Sequence, residues 1–83
     1  MQVQPANYTY LPRPASQLDL LLNHFSHVSP PSISRLEASA LYRIDSLSRR
    51  INDLEELGHK FQRVMKRDNT GKRYVRYFYA GRA

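Results

Sequence analysis

Ser48, Arg49, Asn52 and Glu56 fall on one side of a helical wheel turning about 100° per residue, while Leu47, Ile51 and Leu54 fall on the other. The first group is the one that can do chemistry. A guanidinium matches the paired acceptors O6 and N7 of guanine, and an asparagine amide matches N6 and N7 of adenine. The second group has the i, i+4, i+7 spacing of a helix buried along one stripe. Beyond Gly58 the chain turns basic and strand-like. A half-buried helix beside a basic ribbon points to a reader of the DNA major groove. Any ordinary amphipathic helix fits the same wheel, so the surrounding chain has to decide.

The charge distribution favours the first reading. Residues 1–57 carry five arginines against six carboxylates, a net charge of −1. Residues 58–83 carry eight lysines and arginines against Asp68 alone, a net charge of +7. Such asymmetry suits a polyanionic partner, either nucleic acid or an acidic membrane surface. A chain of 83 residues has room for one small domain. A domain of that size buries only about 60% of its unfolded surface, which leaves little core for an elaborate active site. Cysteine is absent, so disulfides and thiolate zinc sites are excluded. The longest apolar run, Leu20 to Leu22, is far too short to span a membrane. Met1 leads into polar, proline-containing sequence, so no signal peptide is expected and a cytoplasmic location is.

The elements that would position the polar face follow in order. Residues 1–15 contain three prolines and no helical period, and are expected to form a flexible arm. Ser16 and Asp19 form a capping box for a first helix over Gln17–His27, with Leu18, Leu21, Leu22 and Phe25 as its stripe. His24 and His27 stand at i, i+3 without a third ligand, so they are expected to be surface or boundary residues and no metal site is assigned. Ser34 and Glu37 form a second capping box, and Leu36, Ala40 and Leu41 are expected to be the buried face of the helix that follows. The corner comes at Tyr42-Arg43-Ile44, with Ile44 as its buried pin. Asp45 is expected to cap a third helix that runs to Leu57 and stops at Gly58. Glu55 and Glu56 are read as solvated helix surface.

His59–Arg67 and Lys72–Tyr79 have strand composition, and Asp68-Asn69-Thr70-Gly71 is a turn between them. Pairing Asp68 with Lys72 sets Met65 opposite Val75 and Phe61 opposite Tyr79 on a core-facing side. The other side then holds Val64 with Arg76, Lys66 with Tyr74 and Gln62 with Phe78. Arg67 and Arg73 meet at the tip beside Lys66 and Lys72. Four like charges there destabilise an isolated hairpin, and a polyanion is the natural counterpart.

Three helices followed by a basic hairpin resemble the winged helix-turn-helix fold, and more closely the short helix-turn-helix proteins of bacteriophages and prophages. The resemblance is carried by Leu36-Glu37-Ala38, Leu41-Tyr42, Ile44 and, most specifically, the run from Leu47 to Gly58, and it covers roughly Gln17 to Tyr79. Arg43 departs from the pattern, since that corner often carries glycine. A non-glycine residue is tolerable there if its φ stays negative.

The resemblance implies an α+β fold: a three-helix winged helix-turn-helix with a C-terminal two-stranded β-hairpin wing. Its limits are residues 16–80, with 81–83 disordered. It also implies sequence-specific binding of double-stranded DNA in phage or prophage transcription regulation, within a bacterial host cytoplasm. Arg49 and Asn52 would then contact bases with help from Ser48. Arg35, Arg50, Lys66, Arg67, Lys72, Arg73 and Arg76 would contact the backbone or the neighbouring minor groove. A weak homodimer or cooperative assembly on DNA is expected at this size. No cofactor, membrane or small-molecule substrate enters the reading.

Two alternatives use the same residues. Tyr74, Tyr77, Phe78 and Tyr79, interleaved with arginines, would suit a protein-interaction module docking on a host protein. They would equally suit stacking of a single-stranded nucleic acid. An enzyme is not expected, because the sequence has no plausible triad, no glycine-rich phosphate loop and no pocket-forming carboxylate cluster.

Overall fold

A computed structural model describes residues 16–82. The expected flexible arm of residues 1–15 lies outside the described residues. The element order is α1 (Gln17–His27), β1 (Ser32–Ser34), α2 (Arg35–Tyr42), α3 (Leu47–Glu56), β2 (His59–Arg67) and β3 (Arg73–Arg82).

Both capping boxes form as the sequence specifies. Ser16 Oγ accepts from the Asp19 amide and Asp19 accepts from the Ser16 amide, fixing the start of α1. Ser34 and Glu37 do the same for α2. The expected cap of α3 does not form: its N-cap is Ser46 rather than Asp45, and no side-chain hydrogen bond closes that end. At its other end, Gly58 takes φ +102° and donates to Glu55 O, a conformation that glycine adopts without a Cβ penalty.

The sheet has a strand that the sequence did not announce. β1 is only three residues long, too short for an alternating pattern to register, and it pairs with β3 to give the antiparallel order β1-β3-β2. The β2–β3 register is the expected one, with Met65 opposite Val75, Phe61 opposite Tyr79 and Arg67 opposite Arg73. β3 runs on to Arg82, where it pairs with His59. Gly81 and Arg82 therefore belong to the sheet rather than to a disordered C-terminus, and the domain extends past residue 80.

The core gathers Leu21 and Phe25 from α1, Ile33 from β1, Ala38 from α2, Ile44 from the corner, Leu47, Ile51 and Leu54 from α3, and Tyr77 from β3. Phe61, Val75 and Tyr79 close its edge, and the Phe25 and Tyr79 rings stack with centroids 5.3 Å apart. Two expectations fail here. α2 turns Ala38 and half-buried Tyr42 inward, leaving Leu36 at 72% and Leu41 at 60% exposure, with Ala40 also exposed. The Ser34–Glu37 cap and the Glu37–Arg76 ion pair fix the rotation of this short helix against the sheet, so apolar spacing does not decide its inward side. Met65 lies on the core-facing side of β2 but is 58% exposed, because the hairpin projects past the helices that would cover it.

His24 is buried rather than at the surface. Its Nε2 lies 3.0 Å from Ser32 O and its Nδ1 lies 2.6 Å from Tyr42 Oη. A carbonyl can only accept, so Nε2 donates to Ser32 O, while Nδ1 shares a hydrogen bond with the Tyr42 hydroxyl. Both ring nitrogens are thus occupied in tying α1 to β1 and α2.

Arg43 sits in the left-handed region at φ +56°, against the negative value expected for a residue other than glycine. The corner requires it, since the Arg43 amide reaches Ser39 O and the Ile44 amide reaches Ala38 O, which brings Ile44 into the core. A left-handed residue with a Cβ costs about 1–2 kcal/mol. Arg43→Gly should therefore raise stability by about 0.5–1 kcal/mol after the extra chain entropy of glycine is deducted. Urea unfolding of the two proteins would show this as a higher midpoint with an unchanged m-value.

Candidate nucleic-acid interface

α3 buries Leu47, Ile51 and Leu54 and exposes Ser48, Arg49 and Asn52. Helical periodicity places Arg49 and Asn52 about one turn apart on the outer face. Arg50 is half-buried on a flank, its Nε 3.1 Å from Asp53 Oδ2 but without the alignment of a hydrogen bond. Arg35 is exposed at the first turn of α2, where backbone amides point outward.

The hairpin tip is built by Asp68. Its Oδ1 accepts from the Thr70 amide, the Thr70 hydroxyl and the Lys72 amide, and Asp68 N donates to Lys72 O. The Thr70 hydroxyl first, and then the Lys72 amide, hold the Asp68 carboxyl below its ordinary pKa. That carboxylate is taken up by the turn and forms no ion pair with a tip cation among the described residues. Arg67, Lys72 and Arg73 are all exposed, and Arg67 Nη1 donates to Gly71 O across the turn. No ion pair among the described residues engages Arg49, Lys72 or Arg73. The tip is thus a cationic cluster carried away from the core on two paired strands.

Two members of the expected set lie elsewhere. Arg76 alternates with the buried Tyr77 and so points to the opposite side of the sheet. There its Nε donates to Ser32 Oγ at 2.9 Å and its Nη2 pairs with Glu37 at 3.0 Å. Burial pushes the Glu37 carboxyl upward, but the hydrogen bond from Arg76, the Ser34 amide and the Arg76 charge outweigh it, and its pKa ends below the ordinary value. Arg76 therefore holds β1, α2 and β3 together and is no longer a free cation for DNA. Lys66 shares that side of the sheet, with its Nζ 5.8 Å from the Phe78 ring centroid.

The interleaved aromatics are divided the same way. Tyr77 is buried, and Tyr79 packs on Phe25 while sharing a hydrogen bond with His59. Only Tyr74 and Phe78 remain for the far side of the sheet, both half-buried. The four rings that protein docking or single-strand stacking would use do not form one surface.

Sequence reading missed Arg63. It falls on the core-facing side of β2, and its guanidinium crosses to α3, where it grips Glu55 with two bonds of 3.0 Å and Asn52 Oδ1 with one of 3.3 Å. Its other side lies over the Tyr77 ring, 5.4 Å from the centroid. The hydrogen bonds from Arg63 lower the Glu55 pKa against a smaller upward push from burial, and the same bonds raise that of Arg63. Glu55 is therefore paired while still partly solvated, and the contact from Arg63 orients the Asn52 amide with its oxygen toward β2. The available signal was a cation in the register of Phe61 and Met65, which has to find a carboxylate on the helix it faces.

A family model described as a winged helix-turn-helix domain matches residues 16–82 of the chain. Comparisons with curated proteins and with solved structures find no match. No helix among the described residues is long and apolar enough to cross a membrane.

Proposed function

Because the chain belongs to the winged helix-turn-helix family, we propose that it binds double-stranded DNA sequence-specifically, with α3 in the major groove. The observation that carries this reading is the juxtaposition of two surfaces. One is the exposed polar face of α3, where Ser48, Arg49 and Asn52 stand opposite the buried Leu47, Ile51 and Leu54. The other is the cationic tip of the hairpin that follows it directly. Helix side chains read base edges, while tip cations neutralise phosphates without regard to sequence.

In this reading Arg49 takes the O6 and N7 of a guanine, and Ser48 holds a base edge or a phosphate beside it. Arg67, Lys72 and Arg73 contact the backbone or the adjacent minor groove, and Lys66, on the other side of the sheet, adds only to the general positive field. Arg35 takes a phosphate at the start of α2, and Arg50 takes one from the flank of α3. The resemblance of the Leu47–Gly58 run to phage and prophage proteins supports transcription regulation of that kind, in a bacterial cytoplasm. A single copy would bury about 600–1,000 Å² on DNA and bind modestly. Weak pairing or cooperative binding at repeated sites would compensate, and the exposed Leu36 and Leu41 offer apolar surface for it.

Arg49→Ala should weaken binding to a selected duplex by about 1–3 kcal/mol and relax the preference at one base pair. Binding to a scrambled duplex should change little beyond the loss of one positive charge. Titration of both proteins against both duplexes at two salt concentrations checks this. Equal losses on the two duplexes would remove Arg49 from the base-reading role.

A further inference from the structure

Arg63 constrains what Asn52 can read. A guanidinium donates and never accepts, so Asn52 must turn its carbonyl toward Arg63 and its NH2 group away. The observed contact has that sense, with Arg63 Nη2 donating to Asn52 Oδ1 at 3.3 Å. Arg63 is itself held from three sides. Glu55 takes both terminal nitrogens at 3.0 Å, the Tyr77 ring supports the guanidinium plane, and the backbone is fixed by pairing with Tyr77 in the sheet. A bidentate carboxylate pair of this kind is the strong form of the interaction, so Asn52 meets a preset partner.

An unconstrained asparagine reads adenine with two bonds, accepting from the N6 amino group and donating to N7. In Asn52 one of the two lone pairs of Oδ1 is already engaged by a cation, and that positive charge opposes the approach of a second donor to the other. The adenine N6 and cytosine N4 amino groups are both donors in the major groove. Guanine O6 and N7 and thymine O4 are acceptors that match the outward NH2 group, whereas adenine offers its N7 acceptor only beside an N6 donor that opposes the engaged carbonyl.

Resting on the DNA-binding reading above, we propose that Arg63 is a positioning residue that makes Asn52 a donor-only reader, favouring guanine or thymine over adenine and cytosine at the base it faces. The adenine assignment for Asn52 drawn from its side-chain chemistry alone is replaced. The wing then contributes to specificity through the recognition helix as well as to affinity through its tip.

The test is selection of bound duplexes from a random pool by the wild-type chain and by Asn52→Ala, Arg63→Leu and Glu55→Gln. Asn52→Ala identifies the base position that depends on residue 52. At that position the wild type should enrich guanine or thymine. Arg63→Leu keeps apolar cover on Tyr77 but frees the Asn52 carbonyl. Its preference for guanine or thymine over adenine should fall by about tenfold or reverse, with the position read by Arg49 unchanged. Glu55→Gln keeps Arg63 on a weaker anchor and should shift the same position in the same direction by less. This second variant serves if Arg63→Leu loses its helical circular dichroism.

Wild-type enrichment of adenine at the Asn52-dependent position would overturn the proposal. So would an unchanged preference in both Arg63→Leu and Glu55→Gln, or an Asn52→Ala variant that alters no position. Failure of the wild type to enrich any duplex would instead overturn the DNA-binding reading, and the proposal with it.

Discussion

Replacement of Ile51 by alanine is expected to remove a large share of the protein's folding stability. Ile51 is fully buried in α3, in the cluster that contains Leu47, Leu54, Leu21, Phe25 and Ile44. Truncating a buried isoleucine to alanine costs about 2–5 kcal/mol, made up of lost transfer free energy and the cavity that remains. A folded unit spanning residues 16–82 has a total stability of roughly 3–10 kcal/mol on the usual per-residue scale. One substitution therefore removes a large share of it. Urea unfolding followed by far-UV circular dichroism should show a lower midpoint, with the unfolding free energy reduced by that amount. Arg49→Ala, on the exposed face of the same helix, should leave the unfolding free energy within about 0.5 kcal/mol of wild type. Similar midpoints for Ile51→Ala and wild type would mean that α3 is not packed through that face.

The second large effect belongs to the hairpin tip. Joint replacement of Arg67, Lys72 and Arg73 by alanine should reduce the slope of log K against log salt by about 2.7, at about 0.9 for each phosphate no longer neutralised. Between 50 and 200 mM salt, the wild type should lose roughly 40-fold more of its affinity than the variant does. Binding to random duplex should suffer as much as binding to the selected site, because phosphate contacts carry no base information. The effect on folding should be small or of opposite sign. Arg67 and Arg73 are directly opposed across the strands, and removing that like-charge pair relieves repulsion of about 0.2–1 kcal/mol. Weaker binding by an equally or more stable protein would separate the functional role of the tip from a structural one. Loss of stability together with loss of binding would point instead to a tip that holds the wing in shape.

These results would also test how the two surfaces divide the work. A change on α3 should alter which sequences bind, and a change at the tip should alter how strongly every sequence binds. Arg63 joins the two, since it stands on a wing strand and acts on α3.

The local parts of this architecture were legible from composition and spacing. Ser16 with Asp19 and Ser34 with Glu37 announce two helix starts because a cap is made within four residues. Gly58 announces a helix end because its left-handed conformation is a property of one residue. The hairpin register follows from the Asp68–Lys72 turn, since alternation then places every later pair. The stripe of Leu47, Ile51 and Leu54 identifies the inner face of α3, and with it the outer face that carries Arg49 and Asn52.

Apart from the uncapped start of α3, the misreadings depend on how elements pack together. β1 exists because β3 offers a pairing edge, and three residues carry no period of their own. Leu36 and Leu41 are exposed because Glu37 is tied to Arg76 across 39 positions, which sets how α2 is turned. Arg43 takes a positive φ because Ile44 must reach the core. Arg76 is removed from the free cations, and Tyr77 and Tyr79 from the free rings, by partners on other elements.

The sequence by itself determined the helices, the hairpin, its register and the concentration of positive charge in the last third. Capping, periodicity and turn formation act over a few residues and are written in them. The tertiary structure alone decided which cations remain free, which aromatics are covered and which way the Asn52 amide is held. Those outcomes depend on hydrogen bonds and ion pairs between side chains that only the closed fold brings within reach of each other.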